Sequence, residues 1–198
     1  MFQLGAALTI AAVGDSKTRG SVCCASDAAG WGFRTPLRSS LAATAKWTEI
    51  DVTSGWYAVD AQTTASARAG IGAFLAGVSV TADYALVNLG SNDIGTLPPE
   101  ATWKSDYAAV LDALRTKWPS VSVLVARPWR RGSNANADTL ATWISDVIAS
   151  RPWAALGTDE RVYLKSSDDG ATYTSDGLHP NEAGYLVAAS LWQAAMGH

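Results

Sequence analysis

Ala85-Leu86-Val87 and Val123-Leu124-Val125 are short apolar runs with no polar residue alternating through them. A strand with one wet face alternates; a strand covered on both faces does not, and such strands belong to parallel sheets enclosed by helices. These runs lie within candidate strands Tyr84 to Leu89 and Val121 to Ala126, joined by Leu8 to Val13, a weaker one around Thr48 to Val52, and Arg161 to Leu164. Helix-like segments run from Thr63 to Leu75, Glu100 to Trp118, Ala135 to Ser150 and Glu182 to Met196. In the second of these, Tyr107, Val110, Leu111, Leu114 and Trp118 share one face, and Pro119 ends it. Strand and helix in alternation, with right-handed crossovers, predict an α/β fold: a three-layer αβα sandwich around a five-stranded parallel sheet. Residues 1–198 read as a single domain, with no repeat, linker or low-complexity tract. Functional sites in such sheets lie beyond the carboxyl ends of the strands, where polar and Gly-rich loops are expected at Ser26 to Thr35, Arg130 to Asn136 and Ser166 to Ser175.

Composition removes several function classes. Hydrophobic residues make up 48% and can fill a core, while 17% charged residues argue against a disordered tail. The net charge is −3 and no block of Lys and Arg forms a basic face, so no nucleic-acid partner is expected. The two cysteines, Cys23 and Cys24, are adjacent, which excludes a disulfide framework and leaves them as reduced thiols in the first helix. With only His179 and His198, a multi-histidine zinc site is not expected; no metal and no cofactor is called for. No apolar run approaches the ~18 residues of a membrane span. Leu4 to Val13 looks like the apolar part of a signal peptide, but it lacks a basic leader and feeds straight into Gly14-Asp15-Ser16, so it reads as a buried strand.

Three motifs carry chemistry. Gly14-Asp15-Ser16-Lys17-Thr18-Arg19-Gly20 follows the first strand, and a serine at such a strand-to-helix turn is exposed at the sheet edge, near N–H groups that favour developing negative charge. Gly90-Ser91-Asn92-Asp93 follows the third strand, and the Asn92 amide can aim an N–H at an oxyanion beside Ser16. Asp176-Gly177-Leu178-His179-Pro180 precedes the last helix; a carboxylate three residues before an imidazole can hold its Nδ1–H and leave Nε2 free to accept a hydroxyl proton. Taken singly, Ser16 is a helix cap, Asn92 a turn residue and Asp176 a loop capper. Together and in this order, they point to a serine hydrolase.

These residues resemble the SGNH (GDSL-type) hydrolase family, named for invariant residues in separate blocks. Ser16 in GDSxTxG matches the nucleophile block, Asn92 in GxND the third, and His179 in DxxHP the last. The resemblance implies a flavodoxin-like sandwich, with Ser16 as nucleophile, His179 as general base and then acid, and Asp176 orienting it. It implies an oxyanion hole of Asn92 and the backbone N–H groups of Ser16 and the second-block residue. That block departs from the pattern: Ala58-Val59-Asp60-Ala61-Gln62-Thr63-Thr64 puts Ala61 where the family has glycine, and Gly55 is the alternative if the loop is longer. Only a backbone N–H is needed there; if the site demands φ > 0, the methyl costs about 1 kcal/mol.

The remaining polar residues read more plainly. Gly14 to Ser21 fails as a phosphate loop, because Arg19 occupies the place of the second Walker glycine. Asp15 and Asp93 read as turn formers, and His198 as a terminus. Of the nine tryptophans, Trp118, Trp143 and Trp192 sit in helices and read as core, whereas Trp31, Trp56, Trp103 and Trp129 lie near the active face. Trp56, Trp129 and Arg130 are the candidate substrate contacts. The expected enzyme is a metal-independent carboxylic ester hydrolase, a serine esterase for short acyl groups, acetyl above all, on a small molecule or carbohydrate. The alternatives are a lipid-directed esterase or thioesterase of the same family, and a catalytically inactive module binding a glycan or protein.

Overall fold

The computed structural model describes residues 7–20, 32–42, 46–49, 56–164 and 170–197, excepting the side chains of residues 7, 42, 46–49 and 56. Its sheet is parallel throughout. The central strand β1 (Ala7–Gly14) is flanked on one side by β4 (Tyr84–Asn88), which leads to β5 (Ser122–Arg127) and β6 (Ala154–Asp159). On its other side β1 pairs first with β2 (Lys46–Glu49) along Ala7 to Ile10, then with β3 (Trp56–Ala58) along Ala12 to Gly14. Two short strands thus share one edge position, and the six strands fill five places across the sheet. Of the weak strand expected around Thr48 to Val52, Thr48 and Glu49 lie in β2 and residues 50–52 lie outside the described chain, while β3 is a strand that the sequence pattern does not announce.

The order is that of a doubly wound sheet whose direction reverses between β1 and β4. Helices α3 (Thr64–Gly77), α4 (Glu100–Lys117) and α5 (Asn134–Ala149) pack successively on one face. Helix α2 (Arg34–Ala42), which takes in the end of the expected Ser26 to Thr35 loop, packs against α7 (Glu182–Ala195) on the other. Local signals set the helix boundaries. The Thr63 side chain accepts from Ser66 N while the Ser66 hydroxyl accepts from Thr63 N, a capping box at the start of α3, and Asn181 caps α7 through Gly184 N. The face predicted for α4 is buried from Tyr107 to Trp118, as is the unalternating interior of β4 and β5.

The fifth strand is corrected. Arg161 to Leu164 belongs to a short helix, α6 (Glu160–Leu164), in which Glu160, Tyr163 and Leu164 are buried and Val162 is exposed. That spacing is one helix face, and a run of four residues does not distinguish it from a strand. The strand itself, Ala154–Asp159, is an edge with a half-exposed pattern and only one β-branched residue, Thr158. Pairing with β5 and packing under α7 define it: a Cβ on Gly157 would lie 2.1 Å from Trp192 Cζ3. Among the described residues no helix is long and apolar enough to cross a membrane.

Candidate active site

In a sheet of this order the site is expected beyond the carboxyl ends of the strands, where the order reverses between β1 and β4, and the first motif follows β1 there. Gly14 is needed for contact rather than for φ, since a Cβ there would lie 2.0 Å from Thr18 Oγ1 and 2.6 Å from the Asn88 carbonyl oxygen. The next turn, α1 (Ser16–Arg19), is a single helical turn. Asp15 caps it by accepting from Lys17 N at 3.0 Å, and Gly20, at φ 85°, ends it with its N–H on the Ser16 carbonyl at 2.9 Å.

The last motif delivers the base. Thr174 and Pro180 form an isolated antiparallel bridge, and Ser175 N donates to the His179 carbonyl at 2.9 Å, so residues 174–180 make a closed loop. Gly177 turns it at φ 83°, and its carbonyl accepts from Arg131 N at 2.8 Å. Within this loop His179 Nδ1 lies 2.7 Å from Asp176 Oδ2, and Asp176 Oδ1 accepts from the N–H groups of His179 and Leu178 at 2.8 and 2.9 Å. Burial works against ionisation of Asp176, but the His179 N–H, the imidazole and the Leu178 N–H together outweigh it and hold the carboxyl below the usual range. A carboxylate only accepts, so Nδ1 carries the proton and Nε2 is left as the acceptor. Nε2 lies 2.8 Å from Ser16 Oγ, across 163 residues of sequence. Hydroxyl, imidazole and carboxylate stand in one relay.

The second and third motifs meet beside it. Asn92 Nδ2 donates to the Gln62 carbonyl at 3.0 Å and reaches Asp15 Oδ2 at 3.4 Å, while the Ser91 hydroxyl also donates to Asp15 Oδ2. Gln62 N donates to the Val59 carbonyl at 3.1 Å, closing a turn in which Ala61 takes the third place at φ 57°. That is the position of a type II turn that normally needs glycine. Ala61 is the one non-glycine residue with positive φ among the described residues, and it is exposed. The condition attached to the departure from the family pattern is met. Gly55, the alternative, lies outside the described residues. Asp93 Oδ2 accepts from Thr64 N and Oγ1 at 3.0 and 2.7 Å, so it joins the third block to the start of α3.

Asp15 is completely buried, and burial pushes its carboxyl up to about 6 against the pull of Lys17, Ser91 and the Lys17 N–H. It holds the turn, as the sequence suggested. Among the described residues no three His, Cys, Asp or Glu side chains converge to hold a metal ion.

The substrate contacts need correction. Trp129 is fully buried, its Nε1 donating to Asn134 Oδ1 at 2.6 Å and its ring lying against Gly170, so it is core and not pocket wall. Trp103 is core too, stacked on Tyr107 with centroids 4.6 Å apart. Trp118, Trp143 and Trp192 are buried as expected. Arg130 is half-buried, and its guanidinium lies over Gly95, in the loop that bears Asn92. The Trp56 backbone lies in β3 and its side chain is outside the described set, as are Cys23, Cys24, Trp31 and His198.

Sequence reasoning missed Lys17 and Glu160. Both are buried, 1% and 2% exposed, with Nζ 2.6 Å from Oε2. A lysine beside a nucleophile was visible as a residue; its partner 143 positions away was not.

The sequence pattern of the GDSL-like Lipase/Acylhydrolase family matches residues 12–187. No curated protein matches the chain. Among solved structures it is similar to a member of the lipolytic G-D-S-L family from Veillonella parvula (TM-score 0.73, 18% identity, covering 97% of this chain and 100% of that one). It is also similar to a carbohydrate esterase family 3 protein from Talaromyces cellulolyticus (0.71, 17%, 96% and 97%). A third is the psychrotrophic esterase EstA from Pseudoalteromonas sp. (0.72, 13%, 96% and 96%). At these identities the likeness speaks to the fold.

Proposed function

The chain belongs to the GDSL-like lipase/acylhydrolase family and is a serine ester hydrolase; from that premise we propose that it cleaves short acyl esters, acetyl foremost, from a carbohydrate or small molecule through an acyl-enzyme. The observation that carries the reading is the relay of Ser16 Oγ, His179 and Asp176 at 2.8 and 2.7 Å. Ser16 Oγ attacks the acyl carbon as His179 Nε2 takes its proton, and Asp176 stabilises the imidazolium. The oxyanion accepts from the N–H groups of Ser16 and Ala61 and from Asn92 Nδ2, whose long 3.4 Å contact to Asp15 is the weak one to exchange. The imidazolium protonates the leaving alkoxide, and water repeats the sequence on the acyl-enzyme, returning Ser16 and the free acid.

A carbohydrate suits Arg130, which has no side-chain hydrogen bond or ion pair among the described residues and can offer its N–H groups to hydroxyls. The solved carbohydrate esterase shares the fold and supports this choice. The test is fluorophosphonate labelling with hydrolysis of p-nitrophenyl esters of increasing length. We expect labelling that disappears in Ser16→Ala, and highest kcat/KM for acetate. Ser16→Ala and His179→Ala should lose on the order of 10⁶ in kcat without unfolding, and Asp176→Asn on the order of 10⁴. A preference for eight carbons or more would favour a lipid-directed enzyme, and an unlabelled wild type a binding module.

A further inference from the structure

The helical turn that carries the nucleophile cannot hold itself in place. Helix α1 has four residues, far below the ~12–15 that make an isolated helix even marginal in water. Something in the fold must fix it to the sheet. Successive residues of a helix point about 100° apart, so while Ser16 faces His179, Lys17 turns inward beneath the sheet edge. There Lys17 Nζ donates to Glu160 Oε2 at 2.6 Å and to the Trp129 carbonyl. Glu160 Oε2 also accepts from Trp129 N at 3.0 Å, and Glu160 Oε1 from Asn88 Nδ2 at 2.9 Å.

The four residues of this cluster come from four places at the same edge. Lys17 follows β1, Asn88 ends β4, Trp129 follows β5 and Glu160 follows β6. One buried ion pair therefore ties the carboxyl ends of four adjacent strands to the residue next to the nucleophile. A pair of this kind is a poor source of stability, because removing two charges from water costs about as much as their attraction returns, and apolar replacements are often neutral or better. Its use must lie elsewhere.

We propose that the Lys17–Glu160 pair is a positioning device that locks the Ser16 turn onto the sheet edge, holding Oγ within reach of His179 Nε2. Lys17 and Glu160 touch no reacting atom; they act through α1. The inference rests on the esterase reading for its kinetic consequence, but the geometry it predicts can be read without turnover.

The test is the neutral pair K17M/E160Q in the full chain. The side-chain oxygen of the new amide at position 160 can still accept from Trp129 N, and Asn88, whose Oδ1 has no hydrogen-bond partner, can flip to meet its N–H. We expect a folded protein melting a few degrees below wild type, because the Trp129 carbonyl loses its Lys17 donor, with kcat for p-nitrophenyl acetate and the rate of fluorophosphonate labelling both lowered between about tenfold and a hundredfold. KM should stay within about twofold, because no substrate contact is lost. In parallel, the low-field NMR signal of the His179 Nδ1 proton should shift or broaden at temperatures well below melting. A merely structural pair would change the melting temperature and leave these readouts alone. Wild-type kcat, labelling rate and proton signal in a folded K17M/E160Q would overturn the proposal and leave the esterase reading intact. Absence of labelling in the wild type itself would instead overturn the esterase reading, and the proton signal would still decide whether the pair positions the turn. Should K17M/E160Q not fold, Glu160→Asp, which keeps both charges and shortens the carboxylate's reach to Lys17, gives the same comparison: a several-fold slower labelling rate supports the device and an unchanged rate refutes it.

Discussion

Ala61→Gly should make this protein more stable without making it less active. Ala61 occupies the third place of the Val59–Gln62 turn at φ 57°, where an L residue costs about 1–2 kcal/mol relative to glycine. Glycine returns part of that gain through the greater freedom of the unfolded chain, about 0.5–1 kcal/mol. The residue is exposed, so deleting its methyl opens no cavity. The net is a stabilisation of about 0.5–1 kcal/mol, or roughly 1–4 °C in melting temperature for a chain this long. Paired urea and thermal unfolding at one pH, with kcat/KM for p-nitrophenyl acetate, measures both halves of the statement. The backbone N–H at position 61 is unchanged by the substitution, so turnover should stay within about twofold. A lower urea midpoint, or turnover reduced more than tenfold, would refute the reasoning: the methyl would then be holding the turn rather than straining it.

Two further substitutions probe the framework around the site. Asp15 is buried, and burial raises its carboxyl from 3.8 to about 6 in the fold. The folded state therefore binds the extra proton, so stability contributed by this group is present below the unfolded value and is lost as pH rises towards 6. At about 1.4 kcal/mol per pH unit the loss is about 3 kcal/mol, and Asp15→Asn, which preserves a capping oxygen, should flatten that part of the urea-midpoint profile between pH 4 and 7. An identical decline in the variant would show that Asp15 is not its source. Gly157→Ala sets a Cβ 2.1 Å from the ring of the fully buried Trp192 and should cost about 1–3 kcal/mol by urea unfolding; an unchanged midpoint would mean that β6 or α7 yields freely.

The parts of the site legible in the sequence are those whose chemistry is carried by neighbours in the chain. Asp176 reaches His179 over three residues, and Gly14, Asp15 and Ser16 make a strand-to-helix turn from their own conformational preferences. The unalternating runs of β4 and β5 by themselves mark a sheet covered on both faces. Where the period is too short to read, the sequence does not decide: Arg161 to Leu164 has too few residues to separate a helix face from a strand, and pairing with β5 together with packing under α7 marks Ala154–Asp159 as the edge. Trp129 was misplaced because its polar neighbours mark a surface loop, while its ring turns inward against Gly170.

From sequence alone came the residue types and their local geometry: a hydroxyl at a tight turn, an imidazole held by a carboxylate, an amide after a central strand, and an alanine where glycine belongs. Only the packed sheet decided that these lie at one edge, that Ala61 bears a positive φ, and that Lys17 meets Glu160 out of water. The division follows from range. Backbone preferences and short hydrogen bonds act over a few residues and leave their mark in the order of the chain, whereas strand register and burial bring together groups more than a hundred positions apart that no spacing records.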